Sequence, residues 1–188
     1  MYRVIDLFCG LGGWAKGFIK YGFEVHGYDI VDFSRYYPGI FHQVDLRYFN
    51  DFSYADVVLA SPPCEEFSIA SLPKSWVSVQ RHGIPKIENA LLLVKRAYEI
   101  IDMVKPYFWV IKNVRGAQKY LGKANFHIGS RYFWTNIPPL RVYADDIYGK
   151  TKIPPIKNRS FIRSMIPLTI SDAFAKYIKE NLDKINNE

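Results

Sequence analysis

The chain has 188 residues, 49% of them hydrophobic, which is enough for one domain with a full core. Two cysteines, Cys9 and Cys64, are too few for a secreted disulfide framework and too widely spaced for a metal knuckle, so no metal is expected. The formal net charge of +7 is uneven: residues 1–73 carry 5 Lys/Arg against 9 Asp/Glu, residues 74–131 carry 11 against 3, and residues 132–188 carry 9 against 6. A basic middle behind an acidic first third suggests a polyanionic partner facing one side of the molecule. No run of about 18 apolar residues occurs and "MYRVIDLF" lacks a signal-peptide pattern, so a cytoplasmic protein with no membrane partner is expected.

In chain order, "YRVIDLF" is short and β-branched and ends in a glycine cluster, which predicts a buried strand. "WAKGFIKYGF" has helical spacing, and "EVHGYDI", "FHQVDL" and "ADVVLAS" predict three more strands. "KIENALLLVKRAYEIIDMV", residues 86–104, repeats its apolar residues at three and four and stops before Pro106, a long helix. "YFWVIKNV" is a strand, "NFHIGSRYFWTNIP" a hairpin or strand pair, and "TISDAFAKYIKENLDKI" an amphipathic closing helix. Strands alternating with helices predict an α/β, Rossmann-like fold with a mostly parallel central sheet, in one domain spanning 1–188.

"DLFCGLGG" falls between the first strand and the first helix. Glycines there permit a sharp turn and close approach to a ligand, and the helix N-terminus offers free amides. Asp29 closes the second strand about twenty residues later, where a carboxylate can accept from both hydroxyls of a ribose. The spacing of Gly10, Gly12 and Gly13 does not fit G-x-G-x-x-G, which favours a nucleoside-bearing cofactor other than NAD over a purely structural turn. Cys9, inside the turn, reads as a small packing residue. The second cysteine is different. In "ASPPCEEFS" the two prolines fix an extended, stiff arm that ends at Cys64.

"DLFCGLGG" followed fifty residues later by "ASPPCEEFS" resembles the DNA cytosine-5 methyltransferases, with "GYDI" and "VDLRYF" at the positions of that family's second and third cofactor motifs. The resemblance implies S-adenosyl-L-methionine as cofactor and DNA as partner. It places Phe8, Gly10, Gly12 and Gly13 along the methionine and adenine ends, Asp29 on the ribose, Ile30 on the adenine face and Asp45 at the adenine amino group. Asp6 and Pro62 are counted with these cofactor-side positions. It also implies that Cys64 is the nucleophile, adding as thiolate to carbon 6 of a flipped pyrimidine so that carbon 5 can take a methyl group. "KNVRG" aligns with the family's E-N-V, "GSRYFW" with the end of Q-x-R-x-R, and "RSMIPLTISDAFAKYI" with the closing motif. Arg131 then falls at a base-pocket or thiolate-stabilising cation and Asn113 at a pocket-shaping residue.

The chain departs from that pattern in two ways. Lys112 replaces the glutamate that donates to ring N3 and accepts from the cytosine amine, and lysine is donor-only. Three readings stay open: weak activity with Glu65 or Glu66 in compensation, an impaired subunit that still binds cofactor and nucleic acid, or a lysine that meets the carbonyl of uracil. His127, Gly129 and Ser164 are further substitutions. Residues 138–160 replace a target-recognition domain with a short loop, whose Arg141, Lys150, Lys152, Lys157, Arg159, Tyr143 and Tyr148 can contact phosphates and bases. Low specificity, a separate specificity subunit, a homo-oligomer, or a single-stranded or RNA substrate all fit so short a loop. "SLPKSWVSVQRHGIPK" is positioned to be a lid over the flipped base.

Overall fold

The computed structural model describes residues 1–67, 86–142 and 165–187. Residues 71–85 of the proposed lid, residues 143–160 of the short loop and Ser164 lie outside these.

Seven strands form one sheet in the order β3-β2-β1-β4-β5-β7-β6. They are β1 (Arg3–Leu7), β2 (Glu24–Asp29), β3 (Ile40–Gln43), β4 (Val57–Ala60), β5 (Phe108–Asn113), β6 (Phe126–Ile128) and β7 (Arg131–Thr135). The first five are parallel, and β7 runs antiparallel to both β5 and β6. Central strands such as β4, VVLA, are buried along their whole length, as helices on both faces of a parallel sheet require. The predicted hairpin is β6–β7, and β7 rather than β6 takes the place beside β5.

Alternate residues of each strand feed two separate cores. On one face, α1 (Gly13–Lys20) and α3 (Leu168–Ile185) bury Trp14, Phe18, Phe174 and Ile178 against Val4, Leu59, Val110 and Phe133. On the other, α2 (Lys86–Val104) lays Val94, Ala97 and Ile100 against Ile5, Val58 and Ile111. Truncating Phe174, which is fully buried, would cost about 3–5 kcal/mol by this packing alone. The limits of α2 agree with its apolar spacing, and it ends where Lys105 turns to φ +52° ahead of Pro106. The predicted strand "FHQVDL" is shorter than expected, because pairing with β2 ends at Asp29↔Gln43 and Val44–Leu46 becomes a connection.

The connections place the site. From β1 the chain travels outward through β2 and β3, then returns to add β4 and β5 on the other side of β1. Strand order therefore reverses between β1 and β4, whose last residues pair as Leu7↔Ala60. Ligands of open α/β sheets bind at the carboxyl ends of strands at such a reversal. The glycine turn leaves from one of these ends and the Pro-Pro-Cys arm from the other.

Candidate active site

A cavity of about 500 Å³ opens at this reversal, within the range of small-molecule and cofactor sites. Its walls include Phe8, Gly10, Gly13, Asp29, Ile30, Asp45, Pro62, Cys64 and Lys112, nine of the residues singled out above. Motifs from β1, β2, β3, β4 and β5 therefore meet in one place. Asp6, Gly12, Asn113 and Arg131 are not among the lining residues.

The turn after β1 is held under backbone strain. Phe8 has φ +55°, unusual for a bulky side chain, and Gly10 and Gly12 follow at +50° and +74°. Asp29 braces this turn: its Oδ2 accepts from the Gly10 N–H at 3.0 Å and its Oδ1 from the Val31 N–H at 3.0 Å. Burial holds the Asp29 carboxyl above its ordinary range, while the N–H groups of Val31, Gly10 and Ile30 oppose that rise. A Cβ added to Gly10 would meet no atom within 4 Å, so the missing side chain leaves open cavity. At Gly12 it would fall 2.4 Å from Pro38 Cδ, so that glycine serves packing.

Asp6 lies below the turn, wholly buried. Its Oδ2 accepts from the Tyr37 hydroxyl at 3.1 Å, while Oδ1 has no partner among the described residues. Burial pushes its pKa well up, opposed by Tyr37 and assisted by Asp29. Cys9 is buried in the core beside it, and burial pushes its thiol far up, as suits a packing residue.

Asp45, expected at an adenine amino group, is paired with Arg47, whose Nε lies 2.9 Å from Oδ1. That guanidinium holds the Asp45 carboxyl below its usual range. The loop beyond is clamped by a residue the motifs do not mark. Arg96 of α2 is 9% exposed; its Nε donates to the Leu46 carbonyl at 2.8 Å and its Nη2 to the Phe49 carbonyl at 2.7 Å and to Asn50 Oδ1 at 2.6 Å. In the sequence Arg96 looks like half of a solvated Lys-Arg pair; besides Glu99, three residues on, its partners lie 46 to 50 residues away.

The cysteine arm is braced from several sides. Trp14 Nε1 of α1 donates to Ser61 Oγ at 3.1 Å, and Asn113 Nδ2 reaches the Pro62 carbonyl at 3.5 Å. Asn113 thus supports the arm from behind the cavity wall. Beyond Cys64, which is half-buried, residues Glu65–Phe67 make a single 3-10 turn. Glu65 lines the cavity mouth and is exposed; Glu66 is not among the lining residues.

Lys112, next to last in β5, lies on the cavity wall and is 5% exposed. Burial pushes its pKa down; the charge of Cys64 opposes this shift and that of Arg131 adds to it. The thiol and two cations therefore share one electrostatic neighbourhood. Arg131 Nη2 lies 3.5 Å from the carbonyl of Met165, another cavity residue.

The family model for C-5 cytosine-specific DNA methylases matches residues 2–128. The chain belongs to this family. Among curated relatives, Type II methyltransferase M.AplI of Arthrospira platensis is 29% identical over 119 residues, 60% of this chain and 31% of the relative. The chain thus spans about a third of that relative's length. M.HgiGI of Herpetosiphon aurantiacus is 27% identical over 132 residues, 62% of this chain and 93% of the relative. A solved candidate DNA modification methyltransferase from an E. coli prophage aligns at 21% identity with a TM-score of 0.49, over 82% of this chain and 52% of that one.

C-5 DNA methyltransferases use S-adenosyl-L-methionine as methyl donor. The cavity suits that cofactor on its own terms: a nucleoside-sized space, a glycine cradle at Gly10 that a Cβ would fill, and a half-buried carboxylate at the end of β2. Among the described residues no group of three or more His, Cys, Asp or Glu could hold a metal ion, and no helix is long and apolar enough to cross a membrane.

Proposed function

We propose that this chain is a DNA methyltransferase acting at carbon 5 of a pyrimidine, cytosine on family grounds, with Cys64 as nucleophile. The observation that carries the reading is that Cys64, on its braced Pro-Pro arm, opens into the same cavity as Phe8, Gly10 and Asp29. Those three residues, with Ile30 and Asp45, would hold S-adenosyl-L-methionine, which when bound supplies the methyl group for carbon 5.

Cys64 Sγ bonds to carbon 6 and pushes the ring's π electrons toward carbon 5. Lys112 interacts electrostatically with both Cys64 and Arg131, which places these three side chains around the reacting ring. Asn113 and Trp14 hold the arm so that the sulfur approaches the ring face from one direction. Once the carbon-5 proton is lost, Sγ leaves with its bonding pair and the ring is restored. The base must be flipped or already single-stranded to reach this depth. The Type II names of the relatives fit a modification role alongside a restriction enzyme.

The test is transfer of labelled methyl from S-adenosyl-L-methionine to duplex DNA, single-stranded DNA and RNA in parallel, with Cys64→Ala as control. Label on pyrimidine carbon 5, lost in Cys64→Ala, is the expected result. Cofactor binding without transfer to any of the three would instead make the protein a binding subunit.

A further inference from the structure

Six polar or charged side chains are buried among the described residues, and of these only Lys112 lines the cavity. No described residue hydrogen-bonds or ion-pairs with its side chain. The side chain is 5% exposed and lines the cavity, so a group bound there, such as the edge of a base, can meet its ammonium. Lysine has three N–H donors and no acceptor when charged. The Watson–Crick edge of cytosine offers an acceptor at N3 beside a donor amine at carbon 4. Uracil offers the reverse, a donor at N3 beside the acceptor O4. A carboxyl oxygen that accepts at the 4-position is matched to the cytosine amine and meets O4 with repulsion. A lysine finds one acceptor on either ring and has no acceptor of its own with which to tell them apart.

We propose that the pocket accepts uracil as well as cytosine, with Lys112 donating to O4 of uracil or to N3 of cytosine, so that the protein also converts uracil to its 5-methyl form. The inference rests on Cys64 being the nucleophile of the reading above. On uracil, the bond from Cys64 Sγ to carbon 6 forms as the C5=C6 pair moves to C4–C5 and the carbonyl pair to O4, giving an enolate whose charge faces Lys112. Carbon 5 then bonds to the methyl group, and the sulfonium donor leaves as a neutral thioether. A water-borne base removes the carbon-5 proton, the C5=C6 bond re-forms, and Sγ departs as thiolate with its electron pair. Glu65 also lines the cavity, but it is exposed at the mouth, whereas Lys112 is in the wall.

A base that carries fluorine at carbon 5 cannot lose that substituent, so it stays bonded to the cysteine and reports the step directly. Four oligonucleotides of one sequence are needed, carrying 5-fluorouracil or 5-fluorocytosine on a deoxyribose or a ribose backbone. Each is incubated with the protein and S-adenosyl-L-methionine, and the adduct rate is read by denaturing electrophoresis and peptide mass at Cys64. The expected result is adducts with both bases at rates within about tenfold, and whichever backbone gives them names the source of the base. In Lys112→Glu the ratio should swing to cytosine by a hundredfold or more, on the order expected when a hydrogen-bonding site meets a mismatched analogue. A wild-type preference for cytosine of that size overturns the inference, leaves Cys64 chemistry intact, and points to Glu65 as the acceptor. No adduct with any oligonucleotide, with cofactor binding intact by calorimetry, overturns the nucleophile reading as well. The wild-type ratio alone decides the matter if Lys112→Glu does not fold.

Discussion

A Cβ added to Gly116 would lie 1.9 Å from the Phe67 carbonyl oxygen. The 3-10 turn Arg115–Ala117 after β5 therefore carries the end of the cysteine arm on bare backbone. Gly116→Ala must push residues 65–67 away, and Cys64 with them. Overpacking of this kind costs about 1–3 kcal/mol. A nucleophile displaced by about 1 Å loses roughly a hundredfold in rate. The variant should therefore bind S-adenosylhomocysteine normally by calorimetry while trapping a 5-fluoropyrimidine about a hundred times more slowly. Equal loss of both would make the turn a general fold element with no special bearing on the arm.

Most of this arrangement was legible because it is local. The apolar runs of β1 and β4, the glycine turn and the Pro-Pro-Cys arm each announce themselves within ten residues. What was not legible depends on which side of a strand end a side chain faces. Asp6, Gly12 and Asn113 belong to the right motifs yet do not line the cavity: Asp6 accepts from Tyr37, Gly12 packs near Pro38 and Asn113 holds the arm. Arg96 was missed because two of its partners are backbone carbonyls of a distant loop, and no residue pattern encodes a carbonyl. The place of β7 beside β5 was also hidden, since nothing in "NFHIGSRYFW" states which of two adjacent strands joins the sheet.

Arg96 is the second point of test. Replacing it with Met leaves the Leu46 and Phe49 carbonyls without their donor and removes a nearly buried charge. Losing charge-assisted hydrogen bonds of this kind should cost about 2–4 kcal/mol in urea unfolding. The loop that follows Asp45 would lose its anchor, so affinity for S-adenosylhomocysteine should fall more than the affinity for DNA. A stability loss with cofactor affinity unchanged would confine Arg96 to packing.

The buried carboxyl of Asp6 gives the stability curve a sign. Its folded pKa is raised, so between the unfolded value near 4 and that higher value the native state holds a proton that the unfolded state has released. Its contribution to stability therefore falls as pH rises through that window, opposite to that of a salt-bridged carboxylate. Asp6→Asn removes the titration and keeps an acceptor for Tyr37. Urea midpoints measured from pH 4.5 to 8, a span chosen to start just above the unfolded value, should show wild type losing ground to the variant as pH increases. Parallel curves would mean that Asp6 does not hold the proton in the folded state.

The glycine turn separates cofactor contact from packing, and two single substitutions can tell them apart. Gly10 and Gly12 both occupy the left-handed region, so Ala at either position carries a backbone penalty of about 1 kcal/mol. Only at Gly12 does the new methyl also strike protein, at Pro38 Cδ. Gly12→Ala should therefore be the less stable of the two by a further 1–3 kcal/mol or so. At Gly10 the methyl instead enters the cavity beside Asp29, where nothing in the protein resists it. Gly10→Ala should keep most of its stability and lose cofactor affinity, by tenfold or more if the methyl excludes about 1.4 kcal/mol of contact. Thermal melts paired with S-adenosylhomocysteine titrations read both quantities. If Gly10→Ala binds as tightly as wild type, the cofactor does not approach this turn and the cradle must be sought along Ile30 and Asp45 instead.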